Sequence, residues 1–89
     1  MGSVKMFTRS QCPRCPAAKE VGQRLEAEGV RVVPYDVETA EGLAEASFHG
    51  ILSTPSFVIE DEQGTEVAAW RGRVPTPEEV KQVLSRTLP

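Results

Sequence analysis

The two cysteines of this chain stand three residues apart, in Cys12-Pro13-Arg14-Cys15. A fold stapled by disulfides spreads its cysteines to close long loops, and this pair closes none. A structural zinc site takes four ligands, yet the thiol and imidazole donors here are Cys12, Cys15 and His49 alone, so one chain cannot complete such a site. The 89 residues must therefore be held by an apolar core. At this size folding removes roughly 60–68% of the unfolded chain's surface from water, enough for one modest core. We read residues 1–89 as a single domain. The composition, 39% apolar and 26% charged, is that of a globular protein.

Val4 to Thr8 reads as a short first strand, followed by a turn at Ser10-Gln11. A helix is predicted from Pro13 to Glu28 and ends at Gly29, with Ala18, Val21 and Leu25 inward and Pro13 in the first helical position. Val30 to Tyr35 forms a second strand. Thr39 caps a short helix on which Ala40, Leu43, Ala44 and Ser47 share a face, and Gly50 stops it. The period then changes. Ser56 to Ile59 and Thr65 to Trp70 are strands joined by a turn over 61–64, a β-hairpin. Thr76-Pro77-Glu78-Glu79 is a capping box opening a last helix along Val80, Val83, Leu84 and Leu88. The order βαβαββα predicts an α/β fold. Its first two strands are parallel through a right-handed crossover and the hairpin adds antiparallel strands. The result is a four-stranded mixed sheet with three helices covering both faces.

The cysteines thus fall between a strand and a helix. With Cys12 as N-cap, its non-helical backbone turns its sulfur toward Cys15, and a pair that closes and reopens suits redox chemistry. Unpaired N–H groups and the helix dipole place partial positive charge beside Cys12, supplemented by Arg9, Arg14 and Lys19. Pro16, at the fourth helical position, subtracts one N–H. Lowering a thiol pKa from about 8.5 to about 6 raises the thiolate fraction at pH 7 roughly thirty-fold. Reduced intrinsic nucleophilicity cancels most of that gain in attack, so the larger benefit is to Cys12 as a leaving group. Two readings from other classes stay open. The cysteines of two chains could together hold zinc or an iron–sulfur cluster, or the fold could serve as a non-redox adaptor.

Ser10-Gln11-Cys12-Pro13-Arg14-Cys15 after a short strand, with Ser53-Thr54-Pro55-Ser56 before the third, resembles the glutaredoxin branch of the thioredoxin superfamily, over nearly the whole chain. The resemblance implies a thioredoxin (glutaredoxin-like) fold and a thiol–disulfide oxidoreductase of electron transport and cell redox homeostasis. It also implies that Cys12 attacks, that Cys15 resolves, and that Pro55 is a cis-proline beside them. Thr54 would offer its backbone to an incoming peptide or glutathione segment, as an added strand does. Pro13 and Arg14 would line the same site, and Arg9 stands where the branch carries a cation for a glutathione carboxylate; its plainer role is solubility. The resemblance implies no bound cofactor and no metal. Glutathione would be a co-substrate, thioredoxin reductase or glutathione the electron donor, and a disulfide-containing protein the partner of a monomer. Two departures shift the weight toward protein disulfides. Arg14 replaces a common tyrosine, and Trp70-Arg71-Gly72-Arg73-Val74-Pro75 replaces the Gly-Gly segment that helps hold glutathione. That stretch resembles redoxins that serve ribonucleotide reductase and are recharged by thioredoxin reductase.

Charge completes the reading. Ten basic and thirteen acidic residues give a net charge of -3, which argues against nucleic acid as a partner. Residues 32–70 hold eight acids and no Lys or Arg, and then Arg71 and Arg73 arrive together. With Gly72 they are expected on a loop facing Cys12, joining Arg9 and Arg14 in a positive rim. Trp70 reads as a packing residue and His49 as a helix C-terminal residue favoured by the dipole. No apolar run spans a membrane and no basic-then-apolar leader opens the chain, so the expectation is a cytoplasmic protein.

Overall fold

A computed structural model describes residues 2–86. Seven elements follow in the expected order: β1 (Ser3–Thr8), α1 (Cys15–Ala27), β2 (Arg31–Asp36), α2 (Ala40–Phe48), β3 (Ser56–Glu60), β4 (Glu66–Arg71) and α3 (Pro77–Arg86). The sheet order is β2-β1-β3-β4, with β1 parallel to β2 and the other pairs antiparallel. Each strand lies within a residue of its expected bounds.

Alternation along β1 divides the core. Val4 and Met6 point to one face and pack with Phe57, Ile59, Leu25, Val80 and Leu84, beneath α1 and α3. Phe7 points to the other and packs with Val58, Ala46 and Ile51, beneath α2. Trp70 packs half-buried against the first cluster.

Helix ends are set by local chemistry. After α1, Val30 N–H bonds Leu25 carbonyl and Gly29 N–H bonds Glu26 carbonyl, both at 3.0 Å, with Gly29 at φ +88. This pairing satisfies the last carbonyls and needs a left-handed residue. Thr39 caps α2 by accepting from Gly42 N–H at 3.0 Å. Thr76 and Glu79 exchange bonds of 3.0 and 3.1 Å, the reciprocal box expected at the start of α3. Leu88, the last apolar position of that helix, lies outside the described residues.

One expectation needs correction. The first helix begins at Cys15, with Arg14 rather than Cys12 as N-cap. Pro16 is therefore the second helical residue, where a missing N–H costs no helical bond. On α2 the face made by Ala40, Leu43, Ala44 and Ser47 is the outer one; Gly42 and Ala46 are buried and Leu43 is 57% exposed.

Candidate active site

Cys12 to Cys15 forms a reverse turn butted against α1. Cys15 N–H donates to the Cys12 carbonyl at 3.2 Å, and Arg14 sits at φ -101, ψ -4. These angles suit the third position of a type I turn, and Pro13 suits the second. The turn brings the two Cα atoms to 5.3 Å, and the sulfurs are joined in a disulfide. Both cysteines are mostly covered, Cys12 at 8% exposure and Cys15 at 2%. They border an open cleft whose walls include Arg9, Pro13 and Lys19. The first turn of α1 carries no acidic residue, so its positive end is not neutralised locally.

The loop before β3 is built around the Thr54–Pro55 peptide, which is cis. Thr54 is tied to the other side of the cysteine turn, where Arg9 Nε donates to Thr54 Oγ1 at 3.0 Å. Arg14 reaches a third loop, its Nη2 donating to the Gly72 carbonyl at 3.0 Å. Gly72 has φ +73, and a Cβ there would stand 2.7 Å from Ser53 Oγ. Pro13, Arg14, Arg9, Thr54 and Gly72 are thus brought to the cysteines by three separate loops.

Arg71 is not. It shares a face of β4 with Ala69, which packs under α2, and its guanidinium donates to the His49 carbonyl at 2.8 Å and to Glu66 at 3.2 Å. Arg73 turns instead to Glu79 at 2.8 Å. The positive rim contains Arg9 and Arg14 without these two: Arg71 lies on the face of β4 that packs under α2, and Arg73, beyond the end of that strand, is drawn to the first turn of α3 by Glu79. His49 does cap the end of α2, but its buried ring also enters a charged cluster. Glu66 lies 3.1 Å from Nδ1, with Lys5 and Glu60 at 3.3 and 3.4 Å from Nε2. Lys5 also pairs with Glu45 at 2.8 Å. Burial alone would raise the Glu66 carboxyl, but hydrogen bonds from His49 and Arg71 outweigh it and hold the group below its ordinary value.

Over residues 3–85 the sequence matches the thioredoxin domain family. The chain belongs to it. This thioredoxin-domain protein is similar to a probable thioredoxin from Archaeoglobus fulgidus, at 41% identity over 63 residues, which cover 70% of this chain and 69% of that one. It is also similar to a thioredoxin from Methanocaldococcus jannaschii, at 32% identity over 60 residues, covering 66% and 71%. Among solved structures, a mutant thioredoxin from Halobacterium salinarum superposes with a TM-score of 0.83 at 21% identity, covering 99% of this chain and 78% of that one. Thioredoxin 1 from Thermosipho africanus gives 0.73 at 18%, covering 94% and 91%. These two likenesses show the fold. Among the described residues no helix is long and apolar enough to cross a membrane.

Three contributors to this thioredoxin-domain site escaped sequence reasoning. Glu38 accepts from the Ser10 hydroxyl at 2.7 Å and the Ser10 N–H at 2.9 Å, fixing the approach to the turn. Those bonds hold its carboxyl below the ordinary value. Gln11, just before Cys12, adopts φ 55. Ser56, fully buried, accepts from Gly72 N–H at 3.0 Å and donates to the Ser53 carbonyl at 2.7 Å. The partners of Glu38 and Ser56 include residues far away in sequence, and glutamine carries no signal for a left-handed backbone.

Proposed function

We propose that the protein is a thiol–disulfide oxidoreductase acting on disulfides of other proteins. In its reduced form the Cys12 thiolate attacks one sulfur of a target disulfide, and the other target sulfur leaves as a thiolate that takes a proton. Cys15, deprotonated, then attacks Cys12 Sγ. The second target sulfur is expelled and the Cys12–Cys15 bridge forms. Two electrons and two protons from a dithiol reductase, or from two glutathione molecules, reopen it. The observation that carries the reading is the pair of bonded sulfurs on a turn that Arg9 ties to the cis Thr54–Pro55 loop.

Thioredoxin reductase is the donor we favour, because the relatives from Archaeoglobus and Methanocaldococcus bear the name thioredoxin. A thioredoxin-like potential would be about -270 mV, against roughly -200 to -230 mV for a glutaredoxin-like one. Both sulfurs pair within one chain, which supports action as a monomer, and a dithiol reductase suits a reducing compartment such as the cytoplasm.

Two coupled NADPH assays test this, one through thioredoxin reductase and one through glutathione and its reductase. Turnover is expected in the first. Cys12→Ser should abolish it, whereas Cys15→Ser should accumulate a covalent mixed disulfide visible by mass spectrometry. Full activity in Cys12→Ser would overturn the assignment. So would one zinc or iron–sulfur cluster per two purified chains, held by the same cysteines.

A further inference from the structure

The hydrogen bonds around the disulfide close into a ring. Arg14 Nη2 donates to the Gly72 carbonyl at 3.0 Å, and Gly72 N–H donates to Ser56 Oγ at 3.0 Å. Ser56 Oγ in turn donates to the Ser53 carbonyl at 2.7 Å. Thr54, the next residue, receives Arg9 Nε at 3.0 Å, and Arg9 stands three residues before Cys12. The ring therefore runs from the cysteine turn to the Gly72 loop, on to the cis-proline loop, and back to the turn.

We infer that Arg14 and Arg9 are positioning residues: struts that set the width of the groove around Cys12, rather than clamps for an acidic substrate. Two observations carry this. Both guanidinium groups already donate to groups of the fold itself, a carbonyl and a hydroxyl. Moreover, the Gly72 corner leaves no slack, because Ser53 Oγ occupies the space a side chain would need. Arg14, as N-cap, fixes one end of the strut where α1 begins. Ser56, buried at the head of β3, fixes the other in the sheet. An exposed side chain braced between two rigid elements transmits position.

The inference rests on the oxidoreductase reading above, and two separate measurements keep them apart. Equilibrium unfolding of Arg14→Gln, Ser56→Ala and the double variant tests the ring without any turnover. Coupled residues give non-additive losses, while independent ones add. Kinetics then test its use. Arg14→Gln should raise KM for a protein disulfide roughly three- to ten-fold, the scale of one charge-assisted hydrogen bond partly exposed to water. Because Arg14→Gln also removes a charge beside Cys12, the thiolate titration should move upward, and KM is compared at a pH above both titrations. In the wild type, KM should change little between low and physiological salt, since no screened ion pair to substrate is involved. If Ser56→Ala does not fold, Gly72→Ala opens the same ring by pressing on Ser53 and replaces it in the cycle. Additive unfolding losses or a KM that climbs steeply with salt would each overturn the inference. Absence of all turnover in the wild type, with coupled unfolding intact, would sink the oxidoreductase reading and leave the ring standing.

Discussion

Among the described residues, Gln11 is the one non-glycine position with a positive φ. A left-handed conformation costs a non-glycine residue about 1–2 kcal/mol, and Gln11 adopts one immediately before Cys12. The turn is held from both sides, by Glu38 on Ser10 and by Arg14 on Gly72, so the strain persists. Gln11→Val should lose about 1–3 kcal/mol in chemical denaturation, because a β-branched side chain tolerates φ > 0 worst. Gln11→Gly should fall within about 1 kcal/mol of wild type, its relief offset by the entropy of a more flexible unfolded chain. At this scale the sequence was most legible where function is local. Cys12, Cys15 and Pro55 announce themselves through their neighbours, whereas Glu38 and Ser10 meet across 28 residues and Arg14 reaches Gly72 across 58. No spacing rule encodes such a meeting.

Among the elements, α2 shows how an apolar pattern misleads. Leu43 is the bulkiest aliphatic residue of the helix, yet the helix docks through Gly42 and Ala46, one turn apart and nearly without side chain. Small residues let the helix approach closely: a Cβ at position 42 would collide with the carbonyl of Asp36. Hydropathy counts methyl groups and gives such contacts no weight. Gly42→Ala should therefore reverse the usual preference of helices for alanine, worth about 1 kcal/mol. The expected outcome is a net loss of about 1–3 kcal/mol by thermal or urea unfolding. By contrast, α3 was readable almost to the atom, since Thr76 and Glu79 are close in sequence and each satisfies the other's backbone. The start of α1 was misjudged by two residues because both Pro13 and Pro16 suit a helix entrance; the Cys12–Cys15 turn takes the first and leaves the second to the helix.

Across the whole molecule, topology resolves the uneven charge of the sequence. The acidic middle of the chain borrows its cations from outside: Lys5 on β1 meets Glu45 and Glu60, and Arg71 at the end of β4 meets Glu66. Those pairs bear on stability against pH. Glu28, Glu38, Glu66 and Glu79 all have carboxyls held below their ordinary 4.5. For Glu79 the causes are the Thr76 N–H and the Arg73 guanidinium. Each such group stabilises the fold above its unfolded value and loses that contribution as pH falls through the lower folded one. Lys5 works in the opposite direction. Burial lowers its pKa, but hydrogen bonds to Glu45 and Glu60 outweigh burial and raise it above 10.5. Its contribution is complete below the unfolded value and is lost as pH rises through the folded one. Melting temperature measured against pH should thus fall on the acid side below about 4.5 and on the alkaline side above about 10.5. A curve still rising below pH ~4 would contradict the acid-side assignment. The order and pairing of the strands were legible because crossover and hairpin rules leave few alternatives. The burial of Lys5 in mid-strand was not, since a lysine between apolar neighbours looks like any outward-facing residue.

The one covalent cross-link joins residues separated by three positions, at the rim of the sheet rather than through it. Neither core cluster includes either sulfur, and no strand pairing depends on them. A bond placed there can open and close without asking either core cluster or any strand pairing to move.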